Sequence, residues 1–306
     1  MTTWTASRIP PQRGRKAVVT GTGGLGFEDA LALARAGADV VIAGRDPRKG
    51  AEAVAAIHRD TPSAQVRFEQ LDLASLASVA DFADRLAGQT DSLDLLINNA
   101  GVMRPPRRLE TVDGFEIQLG VNHLGHFALT GRLLPLLRKG WDARVVTLSS
   151  VAARRGRIDF DDLQARRGPY RAMHVYAQSK LACLMFALEM QRRSQAAGWG
   201  VASLAAHPGL SQTRLMENAP GAGGRVSPVL RLLRAMLMQP AAQGALPTLY
   251  AATAHEAQPG GYYGPDGLAE TRGWPAPSRL PAPALDPAAC ARLWEVSQDL
   301  TGVRFG

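Results

Sequence analysis

Tyr176 and Lys180 stand four residues apart in "YAQSK". On an α-helix that spacing puts both side chains on one face, one turn apart. On a solvent-exposed face such a pair is commonplace and carries no chemistry. Buried against a cofactor, the ammonium favours the phenolate and draws the tyrosine down from its ordinary pKa of about 10, towards the range where it exchanges a proton. The pair therefore asks for two things: a helix with a buried face, and a cofactor beside it.

The elements that would supply both are legible. "KAVVT" (16–20), "DVVIAG" (39–44), "AQVRFEQLDL" (64–73), "LDLLINNAG" (93–101), "ARVVTLSS" (143–150) and "GVASLAAHPG" (200–209) read as strands, with "GGYYG" (260–264) as a short seventh. Helical patterns alternate with them, including a long helix over 112–138 and one over 174–197 that carries the Tyr/Lys pair. Continuous apolar strands alternating with helices predict a parallel sheet covered on both faces, with right-handed crossovers. The fold class is α/β: a single-domain, Rossmann-type, doubly wound parallel sheet of about seven strands. Residues 14–210 form the cofactor and catalytic core, 211–240 a small helical substrate lid, and 274–306 a Pro-rich C-terminal extension ending in a helix that packs back on the body.

The first strand runs into "VTGTGGLGFED". Gly21, Gly23 and Gly26 satisfy G-x-G-x-x-G in the context that gives it meaning, between a strand and a helix N-terminus. Glycine lets backbone approach a pyrophosphate, and the helix's free N–H groups and dipole hold the negative charge. The second strand ends in Gly44 and Arg45, where an NAD enzyme commonly carries an acid for the ribose 2′-hydroxyl. Arginine instead suits a 2′-phosphate, so NADP(H) is preferred, with NAD(H) possible. Asp46 can partly neutralise Arg45 or cap the helix that begins at Pro47.

Composition sets outer bounds. The chain has 306 residues, 46% hydrophobic and 20% charged, enough for one large core. No run reaches the roughly eighteen apolar residues of a membrane span, and the N-terminus lacks the apolar stretch of a secretory signal. Of the two cysteines, Cys183 reads as a buried free thiol, in keeping with a reducing cytoplasm. The net charge of +8 is gathered in arginine clusters at 104–108, 154–157 and 166–171. They can mark a nucleic-acid or membrane surface. No recognition motif accompanies them, so arginine-rich composition and attraction for a polyanionic cofactor are preferred, and no nucleic-acid partner is expected.

"TGTGGLG", "NNAG" (98–101), "VNHLGHF" (121–127), "VVTLSS" (145–150), "YAQSK" and "HPGLSQT" (207–213) occur in the order and approximate spacing of the short-chain dehydrogenase/reductase family, which the chain resembles over about residues 14–270. "NHLGHF", the insertion "IDFDDLQARRGPY" and "HPG" resemble the retinol dehydrogenase and protochlorophyllide reductase-like branch. The resemblance implies that Tyr176 is the general acid/base and that Lys180 lowers its pKa and holds the nicotinamide ribose. It also implies that Ser150, rather than Ser149, orients the substrate oxygen, and that Asn122 holds a water linking Lys180 to solvent. Cofactor contacts are implied for Gly21, Gly23, Gly24, Leu25, Gly26, Arg45, Asp72, Leu73, Asn98, Ala100 and Gly101. Tyr176, Lys180, Pro208, Gly209 and Thr213 complete that set; Asp72 flanks the adenine, Asn98 and Gly101 line the floor, and Thr213 meets the carboxamide.

The glycine turn is one residue shorter than the family's usual TG-x-x-x-G-x-G, so Gly23 and Gly24 compete for its middle place and Arg45 carries more of the cofactor argument. Ser211 stands where the family often has an aliphatic residue. The implied activity is interconversion of a lipophilic alcohol and its ketone or aldehyde by hydride transfer with a tyrosine proton relay. The competing class is a non-catalytic NADP(H)-sensing regulator or scaffold, and the retained Tyr/Lys pair argues against it. His123 and His126 lack companions at ligand spacing, so no metal is expected. No G-x-S-x-G elbow suggests a hydrolase. Peripheral membrane contact through "LRLLRAMLM" is not expected. Association through helices 112–138 and 174–197 would give a homo-oligomer.

Overall fold

The computed structural model describes residues 3–211 and 238–306. Eight strands form one sheet in the order β3-β2-β1-β4-β5-β6-β7-β8. They are β1 (Lys16–Thr20), β2 (Asp39–Gly44), β3 (Gln65–Gln70), β4 (Leu95–Asn98), β5 (Arg144–Leu148), β6 (Ala202–Ala206), β7 (Tyr262–Pro265) and β8 (Pro275–Pro277). Neighbours through β7 run parallel, and β8 joins antiparallel. The eighth strand was not expected from its sequence. Prolines cannot donate to a ladder, but an edge strand needs only one bonding side.

Three of the helices begin where short polar side chains cap them. Leu25–Arg35 (α1) follows the glycine turn. Pro47–Asp60 (α2) starts on Asp46 and Leu76–Ala87 (α3) on Ser75, each cap accepting first-turn N–H groups. The expected helix over 112–138 is broken: Ile117–Leu119 (α4) leads through a π-helical turn at Gly120–Leu124 into Gly125–Leu137 (α5). Ala172–Ala197 (α6) is buried on all sides from Val175 to Ala187 and stops at Gly198 in the left-handed conformation. Ala241–Gly244 (α7), Leu246–Thr253 (α8) and Pro287–Thr301 (α9), which Asp286 caps, complete the chain. Most of the expected 211–240 lid lies outside the described residues.

Strand alternation divides the core. Val19, Ile42, Ile97 and Leu204 face one layer with α1, α2 and α8. Val18, Val41, Leu96 and Val145 face the other, with α3, α5 and part of α6. Phe127, Phe186, Trp294 and Phe305 stack in that second layer, with Trp294 and Phe305 centroids 4.4 Å apart. They dock α9 and the C-terminus onto α5 and α6. No helix among the described residues is long and apolar enough to cross a membrane.

One core position is at odds with its surroundings. Asp29 on α1 is fully buried, and neither carboxyl oxygen has a partner among the described residues. Burial pushes its pKa well above the ordinary carboxylate value, and Glu28 adds to the shift. The folded state therefore keeps a proton that the unfolded chain releases near pH 4, so stability falls as pH rises above that value. Asp29→Asn keeps the shape and removes the ionisation. The variant is expected to melt above wild type by a clearly larger margin at pH 8 than at pH 5; an equal difference at the two pH values would contradict this account.

Candidate active site

The cleft of about 800 Å³ runs along the carboxyl ends of β1, β2 and β4. The glycine turn forms its floor. Gly21 N–H donates to Ala43 O at 2.7 Å, tying the turn to the end of β2. Gly24, at φ 56°, is the residue before α1, while Gly23 projects away from other atoms. Of the two competitors, Gly24 thus fills the middle place. Gly26 follows in the first turn, where a Cβ would collide with the Asn99 amide and lie 2.7 Å from Gly21 O. Leu25 also lines the cleft.

At the far side, Arg45 is exposed on the cleft wall. Asp46 is engaged as the α2 cap, accepting from Arg48 N at 3.0 Å and Lys49 N at 3.4 Å. Its ion-pair partner is Lys49, at 4.0 Å, not Arg45. Lys49 lines the same wall, a second cation that the sequence reading did not single out. The available signal was its place four residues after Arg45, in the first turn of a helix whose cap was already recognised. Asp72 and Leu73 line the opposite side, with Asp72 Oδ1 accepting from Ala74 N at 3.0 Å.

The strand end "NNAG" corrects one expectation. Asn98 is 1% exposed and points into the core, donating to Thr130 Oγ1 at 3.0 Å. Asn99 lines the cleft instead, donating through Nδ2 to Thr20 O at 2.7 Å. Successive side chains leave a strand on opposite faces, which makes these neighbours non-equivalent. Ala100 and Gly101 lie on the cleft wall as expected.

Gly101 adjoins the Tyr/Lys helix. A Cβ there would lie 3.0 Å from Asn122 Oδ1 and 3.6 Å from Lys180 Nζ. Tyr176 and Lys180 are both nearly buried on α6. Lys180 Nζ donates to Leu148 O at 2.9 Å, which fixes the ammonium below the end of β5. Among the described residues no hydrogen bond engages the Tyr176 hydroxyl. Ser149 turns inward and donates to Lys180 O at 2.7 Å. Ser150 is half-buried and caps the short helical turn Val151–Arg155, its Oγ 3.2 Å from Ala152 N.

Asn122 sits in the π-helical turn, a distortion that re-aims side chains within a helix. Its Oδ1 accepts from Val102 N at 2.8 Å, and its Nδ2 donates to Val102 O at 3.0 Å and to Ser179 Oγ at 2.9 Å. Its carbonyl accepts from His126 Nδ1 at 3.0 Å and Cys183 Sγ at 3.1 Å. Both acceptor positions of that oxygen are in use. Asn122 therefore fastens the cleft wall to α6.

Burial lowers the pKa of His126 to about 4 and that of His123 to about 3. His126 bonds Thr20 and His123 bonds Ser297, so the two rings serve separate contacts. Pro208 and Gly209 form the turn after β6, with Pro208 O accepting from Ser211 Oγ and Gln239 Nε2. Thr213 lies outside the described residues.

The chain is similar to known proteins over most of its length. The family model for short chain dehydrogenases matches residues 15–222. Retinol dehydrogenase 13 of Homo sapiens is 40% identical over 294 residues, covering 95% of this chain and 85% of its own. Polyprenol dehydrogenase of Mus musculus is 43% identical over 305 residues, covering 97% and 87%. A solved structure from Mycobacterium paratuberculosis aligns over 100% of both chains at 40% identity with a TM-score of 0.82. The complex of Pseudomonas aeruginosa RhlG with NADP aligns over 82% of this chain and 94% of its own, at 26% identity and a TM-score of 0.62.

The collision at Gly26 involves backbone, which cannot swing aside as a side chain can. Gly26→Ala is expected to cost about 1–3 kcal/mol of stability and to weaken NADPH binding by about tenfold or more. Thermal unfolding and fluorescence titration would check both, and an unchanged dissociation constant would remove the glycine turn from the cofactor site.

Proposed function

The chain belongs to the short-chain dehydrogenase family, in its retinol dehydrogenase-like branch, and on that premise we propose that it uses NADP(H) to interconvert a lipophilic alcohol and its aldehyde or ketone. As a family member it is an NAD(P)-dependent oxidoreductase acting on CH–OH and C=O groups. The observation that carries the reading is the Lys180 ammonium beside the Gly101 end of the cleft, one helical turn from the buried Tyr176, whose hydroxyl has no hydrogen-bond partner among the described residues.

The residues fit a dinucleotide. Gly24 puts no capping side chain over the α1 N-terminus, whose free N–H groups suit a pyrophosphate. Arg45 and Lys49 supply two exposed cations at the end where a 2′-phosphate would lie. The NADP held by RhlG supports the same preference. Met103, Pro105, Leu109 and Ile117 give the other end of the cleft an apolar wall. Together with the names of the retinol and polyprenol relatives, that wall supports a lipophilic substrate.

When bound, the nicotinamide donates or accepts the hydride. The chain's own task is the oxygen. During reduction, negative charge grows on the carbonyl oxygen, and Tyr176 Oη transfers its proton there while Ser150 Oγ donates a second hydrogen bond. The Lys180 ammonium, held by Leu148 O, stabilises the phenolate left behind. Oxidation runs the same proton back to Tyr176 Oη. Asn122 keeps Val102 and Ser179 in register with these groups.

Two variants test the reading. Arg45→Ala is expected to weaken NADPH about tenfold to a hundredfold, the worth of a charge-assisted hydrogen bond, while NADH binding changes little. Fluorescence titration with both nucleotides measures this, and equal losses for the two would end the 2′-phosphate assignment. Tyr176→Phe is expected to lower kcat by about a hundredfold or more with NADPH affinity nearly intact. Wild-type turnover of an aldehyde by that variant would displace Tyr176 from the chemistry.

A further inference from the structure

A partly exposed ionic bridge, backed by a buried histidine, joins the turns that follow β5 and β6. His207, at the end of β6, has no exposed surface. Its Nδ1 accepts from Gly209 N–H at 3.2 Å, which puts the proton of the neutral ring on Nε2. Nε2 then donates to Glu270 Oε2 at 2.8 Å, with Ser278 Oγ 2.9 Å away. The same carboxylate oxygen meets the Arg154 guanidinium at 2.5 Å and the Ser278 hydroxyl. Burial opposes the charge on Glu270, but the donors from His207 and Ser278 outweigh it and bring the pKa down to about 2. Arg154 also donates to Ala269 O at 3.2 Å.

The backbone around Glu270 is strained. Ala269 and Glu270 have φ of 52° and 56°, two consecutive non-glycine residues in the left-handed region. Such conformations persist where surrounding contacts over-determine them, and they gather at functional sites. Here the loop lies flush on the turn after β6. Leu210 N donates to Thr271 O at 2.6 Å, and a Cβ on Gly209 would collide with that same carbonyl. Arg154, for its part, lies within the helical turn that Ser150 caps, one residue before its end. One carboxylate thus holds the Ser150 turn on one side and the Pro208–Gly209 turn on the other.

We propose that Glu270 is a positioning residue: by bridging Arg154 and His207 it sets the spacing of the Ser150 and Pro208–Gly209 turns and so aligns Ser150 with the substrate oxygen. This rests on the functional reading above. Glu270 touches neither substrate nor cofactor in this role. It acts through the two turns, so its loss should fall on the carbonyl substrate and spare cofactor affinity.

The test is Glu270→Gln, which keeps the shape and removes the charge, with Arg154→Met as a second variant should the first fail to fold. Hydrogen–deuterium exchange is read at residues 150–156 and 207–211. NADPH binding is read by fluorescence, and reduction of all-trans-retinal and citral by NADPH consumption. The expected result is faster exchange in both turns, kcat/KM lower by about tenfold or more, and an NADPH dissociation constant within about twofold of wild type. Unchanged exchange in either turn would overturn the bridge. Faster exchange with wild-type kinetics would reduce it to a structural tie, and a matching loss of NADPH affinity would move the effect to the cofactor cradle; either result overturns the positioning role. A wild-type enzyme that reduced neither aldehyde would instead defeat the functional reading, and the exchange result alone would then judge the bridge.

Discussion

The site depends on one buried hydroxyl. Thr20 Oγ1, at the end of β1, accepts from Asn99 N and Ala100 N, both at 2.9 Å, and lies 2.9 Å from His126 Nε2. His126 Nδ1 faces the Asn122 carbonyl, an acceptor, so Nδ1 must carry the ring proton and Nε2 must receive the one from Thr20. Every direction in this chain follows from that assignment. Because burial keeps the imidazole neutral down to about pH 4, the Nε2 lone pair persists across the physiological range. Were the ring charged, Nε2 would donate, and Thr20 Oγ1 would face three donors and keep only the longer bond to Ile97 O, at 3.3 Å, for its own proton. Each buried bond of this kind contributes about 0.5–1.5 kcal/mol, and leaving one unmade costs about 1–3 kcal/mol. The glycine turn, the "NNAG" strand end and the Asn122 turn are thereby fixed to one another before any ligand arrives.

That junction works because the topology brings the right ends together. β1 lies between β2 and β4 in a parallel sheet, so the turns after all three open on the same edge. The chain order reverses at β1, which leaves a crevice between the turns after β1 and β4. α6 crosses behind it, with Ser149 and Leu148 fixing Lys180 from the end of β5. Tyr176 and Lys180 are thus set by strands more than by their own helix, whose buried residues face neighbours on every side.

How much of this the sequence disclosed follows the range of the interactions involved. Local periodicity was enough for the first seven strands, for α1, α2, α3 and α6, and for the Tyr/Lys face. Family resemblance, not local pattern, separated Ser150 from Ser149. Alternation at the end of β4 was not applied to Asn98 and Asn99, where the same resemblance led to a side chain that points into the core. Lys49 was hidden for a different reason: its role is shared space with Arg45, which spacing hints at and only the fold reveals. The π-helical turn left no trace because Gly120–Leu124 is as apolar and helix-compatible as its flanks. Thr20 with His126 and His207 with Glu270 are 106 and 63 residues apart, beyond any local pattern.

The shortened glycine turn shows how a deletion can be absorbed without closing the site. α2, α3 and α9 begin on Asp46, Ser75 and Asp286, whose side chains satisfy first-turn N–H groups. α1 begins on Gly24, which has no side chain to do so, and its first backbone bond runs from Glu28 N to Gly24 O. The N–H groups of Leu25, Gly26 and Phe27 therefore receive no intrahelical partner, as at any helix start. Removing one residue shortens the path from β1 to that start while leaving those donors unclaimed. The left-handed φ at Gly24 takes up the tighter bend, a conformation that costs glycine little. Arg45 and Lys49 line the same cleft from the end of the next strand and the helix after it. A turn stripped to backbone and a second strand end carrying cations thus line one cleft, the first offering bare N–H donors and the second positive charge.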